Sequence, residues 1–274
     1  MAQTSPTGED SVDSEEPVFA DTMRLIAHLP FNSRRHSSTH SLSRDPYPHR
    51  YLSTTYHTTI FAVKNQDCVD ECVRLYWDHL LYHLRDTAGL LGLLNMASDQ
   101  RPGGGVLRGV RAQEEDVCRR TSLYPSLIPH KYPLGPDELI VSRDVVVVKD
   151  RMYRPLAPRA RVEINVVLSM AALREPKLLN RRYESDADRD SMRTKIRVLL
   201  EHARDYNVKY LVLGAFGCGS YGNPADEVAD LFQQLLTTEF VNVFKYVVFA
   251  ILEPFGRTPS NDAFRRAFSI GTAR

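Results

Sequence analysis

From residue 58 onward, short apolar runs alternate with stretches of helical periodicity. TTIFAV (58–63), LLGLLNMA (90–97), DVVVVKD (144–150), VEINVVLSM (162–170), KYLVLGAF (209–216) and KYVVFAIL (245–252) read as six strands by their β-branched and apolar content. Between them, Val69, Val73, Trp77 and Leu80/Leu81 recur at helical spacing over 68–85, and Met192, Ile196, Leu199/Leu200 and Ala203 share one face over 186–206. Asn223-Pro224 suits a helix start, continued by Val228, Leu231, Phe232 and Leu235. Strands alternating with helices predict an α/β domain with a mostly parallel sheet, whose ligands sit in loops at the strands' carboxyl ends. Upstream the pattern weakens. Residues 1–16 are acidic and Ser/Thr-rich, predicting a disordered tail. Residues 17–29 carry Phe19, Met23, Leu25 and Ile26, enough for a short docking helix, and 31–57 have loop composition.

Composition narrows the class without naming a chemistry. Of 274 residues, 43% are hydrophobic and 25% charged, and the formal net charge is +1, so bulk charge gives no argument for nucleic acid or a membrane surface. The longest apolar run, Tyr246 to Leu252, is strand-sized, and the start of the chain is unlike a secretory signal. Four scattered cysteines predict reduced thiols and a cytoplasmic or nuclear, non-secreted setting. Cys68 and Cys72 fall in an amphipathic helix and read as partly buried thiols. His36, His40, His49 and His57 read as loop histidines, since their Ser/Arg/Pro-rich surroundings are unlike a helix and no carboxylate or cysteine cluster completes a metal site. No metal or cofactor is expected.

Candidate chemistry gathers in two glycine-rich loops. In the first, strand 90–97 runs into Pro102-Gly103-Gly104-Gly105, followed by Gln113-Glu114-Glu115. Adjacent glycines offer bare backbone N–H groups that can wrap an anion, although a flexible surface turn is the commoner outcome for GGG alone. The spacing is that of neither a dinucleotide fingerprint nor a P-loop. Adjacent glutamates are most often a solvated helix turn; beside a bound diphosphate, their mutual repulsion would raise at least one carboxyl pKa and create a proton donor. The second loop, Gly214 to Pro224, holds glycines at 214, 217, 219 and 222 between a strand and a helix start, an arrangement suited to anions.

The string LNMAS…RPGGG…RAQEEDVCRRTSLYPSL, with seven residues between GGG and QEE, resembles the microbial-type poly(ADP-ribose) glycohydrolase family, and the match runs on through Arg119, Ser122, Leu123 and Tyr124. The segment LGAFGCGSY resembles that family's second phosphate loop. The resemblance implies a macrodomain-like three-layer α/β/α fold with a mixed, mostly parallel six-stranded sheet over residues 56–270, preceded by a helix-and-loop extension at 17–55. It implies hydrolysis of ribose–ribose O-glycosidic bonds in poly(ADP-ribose), releasing ADP-ribose. Glu115 would be the general acid and then base, Glu114 would hold ribose hydroxyls on the departing side, and Ser98 the distal ribose. The diphosphate would lie between Gly103, Gly104, Gly105 and Gly217, Gly219, Ser220, with Gln113 in the site and Tyr221 packing on the ribose beside the scissile bond. Cys218 matches a family cysteine without a catalytic role.

The chain departs from the family at Arg101, where Asn is common; at Ala171 to Glu175, where a PAPN-like segment is common; and at Tyr221, where Phe is usual. Residues 31–57 show no clear family counterpart. The expected partners are poly(ADP-ribose) or ADP-ribosylated protein, with no membrane, and a monomer is expected. The alternatives are a non-catalytic ADP-ribose reader and a hydrolase of mono-ADP-ribosylated protein or nucleic acid; a reader needs the glycine loops but not the acid.

Overall fold

The computed structural model describes residues 16–29, 37–40, 58–80, 90–253 and 259–268. The expected tail, up to its last residue, and most of the 31–57 stretch lie outside the described residues, as do His36, His49 and His57. The chain opens with α1 (Glu16–Ala27) and β1 (Ser37–His40), then β2 (Ile60–Lys64) and α2 (Cys68–Leu75). Next come β3 (Leu90–Met96), α3 (Gln113–Arg120), α4 (Tyr124–Leu127), β4 (Leu139–Val147) and β5 (Val162–Met170). A small hairpin, β6 (Leu178–Leu179) and β7 (Arg182–Tyr183), leads to α5 (Asp186–Asp205), β8 (Val208–Leu213), α6 (Ala225–Thr238), β9 (Tyr246–Ala250) and α7 (Pro259–Phe268).

Among the described residues one seven-stranded sheet runs in the order β1-β4-β5-β3-β8-β9-β2. The pairs β5–β3, β3–β8, β8–β9 and β9–β2 are parallel, while β4–β5 and β1–β4 are antiparallel. The mixed, mostly parallel α/β/α architecture is therefore the one expected, with one strand more than the six anticipated. The addition is β1, SSTH, which pairs with the outer edge of β4. An edge strand needs only backbone partners, and this polar tetrapeptide carries no apolar alternation to betray it. The third apolar run is also longer than read: β4 begins at Leu139, and Asp144, with φ 56°, falls out of its paired register with β5.

Side chains alternate across the sheet, so central strands such as β3 and β8 feed two cores. Leu94, Leu211 and Leu213 face Ile196 and Leu199 of α5, Phe232 of α6 and Phe264 of α7. Leu91, Leu93, Tyr210 and Val212 face Val69 and Leu75 of α2, Val117 of α3 and Leu127 of α4. On that second side α1 docks through Phe19, whose ring meets Tyr124 edge-on at 4.9 Å. Asp21 and the carbonyl of Val18 both take the buried Lys149 ammonium at 2.8 Å. Among the described residues no helix is long and apolar enough to cross a membrane.

Because β3, β5 and β8 are adjacent and parallel, their carboxyl ends open at one edge of the sheet. Three connections meet there: residues 97–112 after β3 (loop 1), residues 171–175 after β5, and residues 214–224 after β8 (loop 2).

Candidate active site

Ala112, the residue that caps α3, supplies no side-chain cap, yet the helix's first turn holds Glu114, Glu115 and Asp116. Acidic groups complement the positive end of a helix, so the carboxylates are electrostatically at home there. Gln113 replaces the missing cap with a tether to the sheet. Its Oε1 accepts from Met96 N–H at 2.8 Å and its Nε2 donates to Leu94 O at 2.8 Å, so the amide acts as an extra strand partner for β3. The same Nε2 donates to Cys68 Sγ at 3.3 Å. With both ends of its amide occupied, Gln113 fixes where the two glutamates begin.

The glutamates are buried and face loop 1. Glu115 Oε1 accepts from Gly105 N–H at 2.7 Å, and among the described residues no hydrogen bond falls on its Oε2. Glu114 Oε2 accepts from Ser98 N–H at 2.7 Å, and Oε1 takes a long contact of 3.4 Å from Asn95 Nδ2. Burial above all, with the charge of Glu115 adding, pushes the Glu114 carboxyl up to about 8, against hydrogen bonds from Ser98, Asn95 and Gly103 that pull it down. The raised carboxyl expected of the pair is thus Glu114, which holds its proton near neutral pH.

Loop 1 can approach so closely because of Gly104. Its φ is +56°, and a Cβ there would stand 2.5 Å from Glu115 Oε1 and 3.0 Å from Glu114 Oε2. Gly103 lies under the Tyr124 ring, which in turn rests on Phe19. Arg119, fully buried, donates to Val106 O at 3.4 Å, and Ser122 Oγ accepts from Val146 N–H at 2.9 Å. Of the residues that extend the sequence motif past the glutamates, Arg119 and Tyr124 therefore support loop 1, while Ser122 ties the end of α3 to β4.

Loop 2 is organised by a residue that the motif does not single out. Asn223 donates from Nδ2 to Leu173 O at 2.7 Å and to Gly217 O at 3.1 Å, and its Oδ1 accepts from Tyr183 OH at 2.9 Å. It ties loop 2 to the connection after β5 and to the hairpin. Gly217, φ +73°, fits because a Cβ would meet Ala172 Cβ at 2.5 Å. Gly219 and Ser220 are exposed at the tip, and a Cβ on Gly219 would meet nothing within 4 Å. Tyr221 is pinned instead: its hydroxyl donates to Asp99 Oδ1 at 3.1 Å and accepts from Arg174 Nη2 at 2.9 Å. Cys218 is a thiol that burial pushes up to about 12, so it carries no thiolate at neutral pH.

A cavity of about 950 Å³ opens at this edge of the sheet, with Met96, Gln113, Cys218, Gly219, Asn223 and Glu253 among its walls. Glu114, Glu115 and Gly103 to Gly105 are not among them. Loop 2 faces the cavity, while loop 1 turns one backbone donor onto the protein's own glutamate. Of loop 1, Arg111 and Ala112 reach the cavity wall and its three adjacent glycines do not. Asp116, also on the wall, is raised by burial against the pull of Arg120, which pairs with Asp67 at 2.6 Å. Among the described residues no group of three or more His, Cys, Asp or Glu side chains is arranged to hold a metal.

Residues 29–150 match the model of the microbial-type PARG catalytic domain. That segment takes in loop 1, the whole of α3 and the 31–57 stretch that the sequence motifs left without a counterpart; it ends before loop 2. The fold resembles poly(ADP-ribose) glycohydrolase from Thermomonospora curvata with a TM-score of 0.77 and 25% identity, over 93% of this chain and 99% of that one. The same values hold for that enzyme bound to the inhibitor ADP-HPD. Poly(ADP-ribose) glycohydrolase from Deinococcus radiodurans in complex with ADP-ribose is similar with a TM-score of 0.62 and 25% identity, over 93% and 92% of the two chains. No curated protein sequence gives a significant match.

Proposed function

We propose that this chain, with its microbial-type PARG catalytic segment, hydrolyses ribose–ribose O-glycosidic bonds of poly(ADP-ribose) and releases ADP-ribose. The observation that carries the reading is the tethered Glu115: fixed through Gln113 to β3 and through Oε1 to Gly105, it keeps Oε2 for substrate. In the forward step Glu115, protonated, gives its proton to the leaving ribose oxygen as the C–O bond breaks and an oxocarbenium ion develops. It then takes a proton from the water that attacks the same carbon. One carboxyl serves first as acid and then as base, so no second glutamate at glycosidase spacing is required.

Glu114 keeps a proton at neutral pH, which lets it donate to a ribose hydroxyl on the departing side. Ser98, beside it, takes the distal ribose. Gly103 to Gly105, Gly217, Gly219 and Ser220 hold the diphosphate, and Tyr221 packs on the ribose at the scissile bond. Gln113 acts by positioning the helix start. The substrate would be poly(ADP-ribose) or ADP-ribosylated protein.

A non-catalytic ADP-ribose reader is the second reading, favoured by the cavity, whose walls include neither glutamate. A substrate panel separates the readings. Wild-type protein incubated with poly- and with mono-ADP-ribosylated protein should release ADP-ribose from the first and leave the protein-linked unit of the second. Release from the mono-modified protein alone would replace the substrate. Tight ADP-ribose binding with no release from either would establish the reader.

A further inference from the structure

The Tyr221 hydroxyl closes a triangle. It donates to Asp99 Oδ1 and accepts from Arg174 Nη2, and the same Nη2 donates to Asp99 Oδ1. The guanidinium carbon also sits 4.5 Å from the Tyr221 ring centroid, within cation–π range. The backbone repeats the link, since Glu175 N–H donates to Tyr221 O at 2.9 Å. These residues belong to three different connections: Asp99 to loop 1, Arg174 to the segment after β5, and Tyr221 to loop 2. Asp99 follows Ser98, whose N–H holds Glu114. Around Tyr221 the loop tip is otherwise bare, since a Cβ on Gly219 or Gly222 would touch nothing within 4 Å. Among the described residues Arg174 makes its hydrogen bonds through one nitrogen, and its side chain is 44% exposed, so it does not hold up the core.

We infer that Arg174 and Asp99 form a clasp across the carboxyl ends of β3, β5 and β8 that positions Tyr221 against the ribose at the scissile bond. Arg174 and Asp99 are positioning residues in this account, acting through Tyr221 and not on the reacting atoms. The inference rests on the glycohydrolase reading for its effect on rate, but not for its effect on the loop. Burial raises Asp99 less than Arg174, Gln100 and Tyr221 lower it, so the carboxylate stays charged to hold the clasp at neutral pH.

Misplacing an orienting group by about 1 Å costs on the order of 10²-fold in rate. Arg174→Ala should therefore lower kcat by about 10- to 100-fold while KM for poly(ADP-ribose) shifts less than about threefold, and Arg174→Lys should recover most of the loss. Combining Arg174→Ala with Tyr221→Phe should be no worse than Arg174→Ala alone, because both act through one ring. Amide hydrogen exchange over residues 217–223 should quicken in Arg174→Ala with the core unchanged. Unchanged exchange there overturns the clasp whatever the activity. Unchanged kcat in Arg174→Ala, or additive losses in the double variant, overturn its catalytic role. A wild-type protein that releases no ADP-ribose overturns the glycohydrolase reading instead, and the exchange measurement still decides the clasp.

Discussion

Glu114 and Glu115 are neighbours in sequence with opposite surroundings. One is tied to Ser98 and Asn95 and keeps its proton; the other is held by the Gly105 N–H and, among the described residues, keeps its second oxygen without a hydrogen bond. The raised pKa of Glu114 has a stability consequence. Between its ordinary value of 4.5 and about 8 the folded protein holds a proton that the unfolded chain has lost, so stability falls as pH rises through that window. Glu114→Gln removes the dependence. Its melting temperature relative to wild type should rise between pH 5 and pH 8, and a constant difference would contradict the burial argument. The QEE triplet was legible because sequence neighbours on one helical turn stay together in space. Asp99, Arg174 and Asn223 were not, because their partners lie 122, 47 and 50 residues away for Asp99–Tyr221, Arg174–Tyr221 and Asn223–Leu173. Only the packed sheet brings such pairs together.

At the level of elements, the two glycine loops differ in what their glycines do. Loop 1 is packed against its own catalytic candidates, and loop 2 is tied at its base by Asn223 and bare at its tip. Gly104→Ala places a methyl 2.5 Å from Glu115 Oε1 at φ +56°, so it should displace the carboxylate and lower kcat by at least about tenfold. Gly219→Ala should leave the melting temperature within about 1 °C, since nothing lies within 4 Å; an effect on ADP-ribose affinity alone would mark that position as a ligand contact. If both variants behaved alike, close approach in loop 1 would not be what its glycines provide. The six strongly apolar strands could be read from content and spacing, whereas β1 could not, because its pairing at the edge uses backbone groups common to any sequence.

For the molecule as a whole, α1 belongs to the architecture of the site. Its Phe19 packs on Tyr124, Tyr124 covers Gly103, and the Thr22 hydroxyl donates to the carbonyl of Arg119 at the end of α3. Phe19→Ala should cost about 3–5 kcal/mol of stability, measured by denaturant unfolding, and reduce activity at temperatures where the fold is intact. A loss of stability with full activity in the folded fraction would separate α1 from loop 1. The central claim is that this fold places Glu115 to transfer a proton at the glycosidic bond. The direct measurement is the rate of ADP-ribose release from poly-ADP-ribosylated protein by wild type and by Glu115→Gln, with ADP-ribose affinity determined for both. The account predicts release by wild type and a loss of at least about 10²-fold in Glu115→Gln, with affinity changed only severalfold. Undiminished release by Glu115→Gln would contradict it.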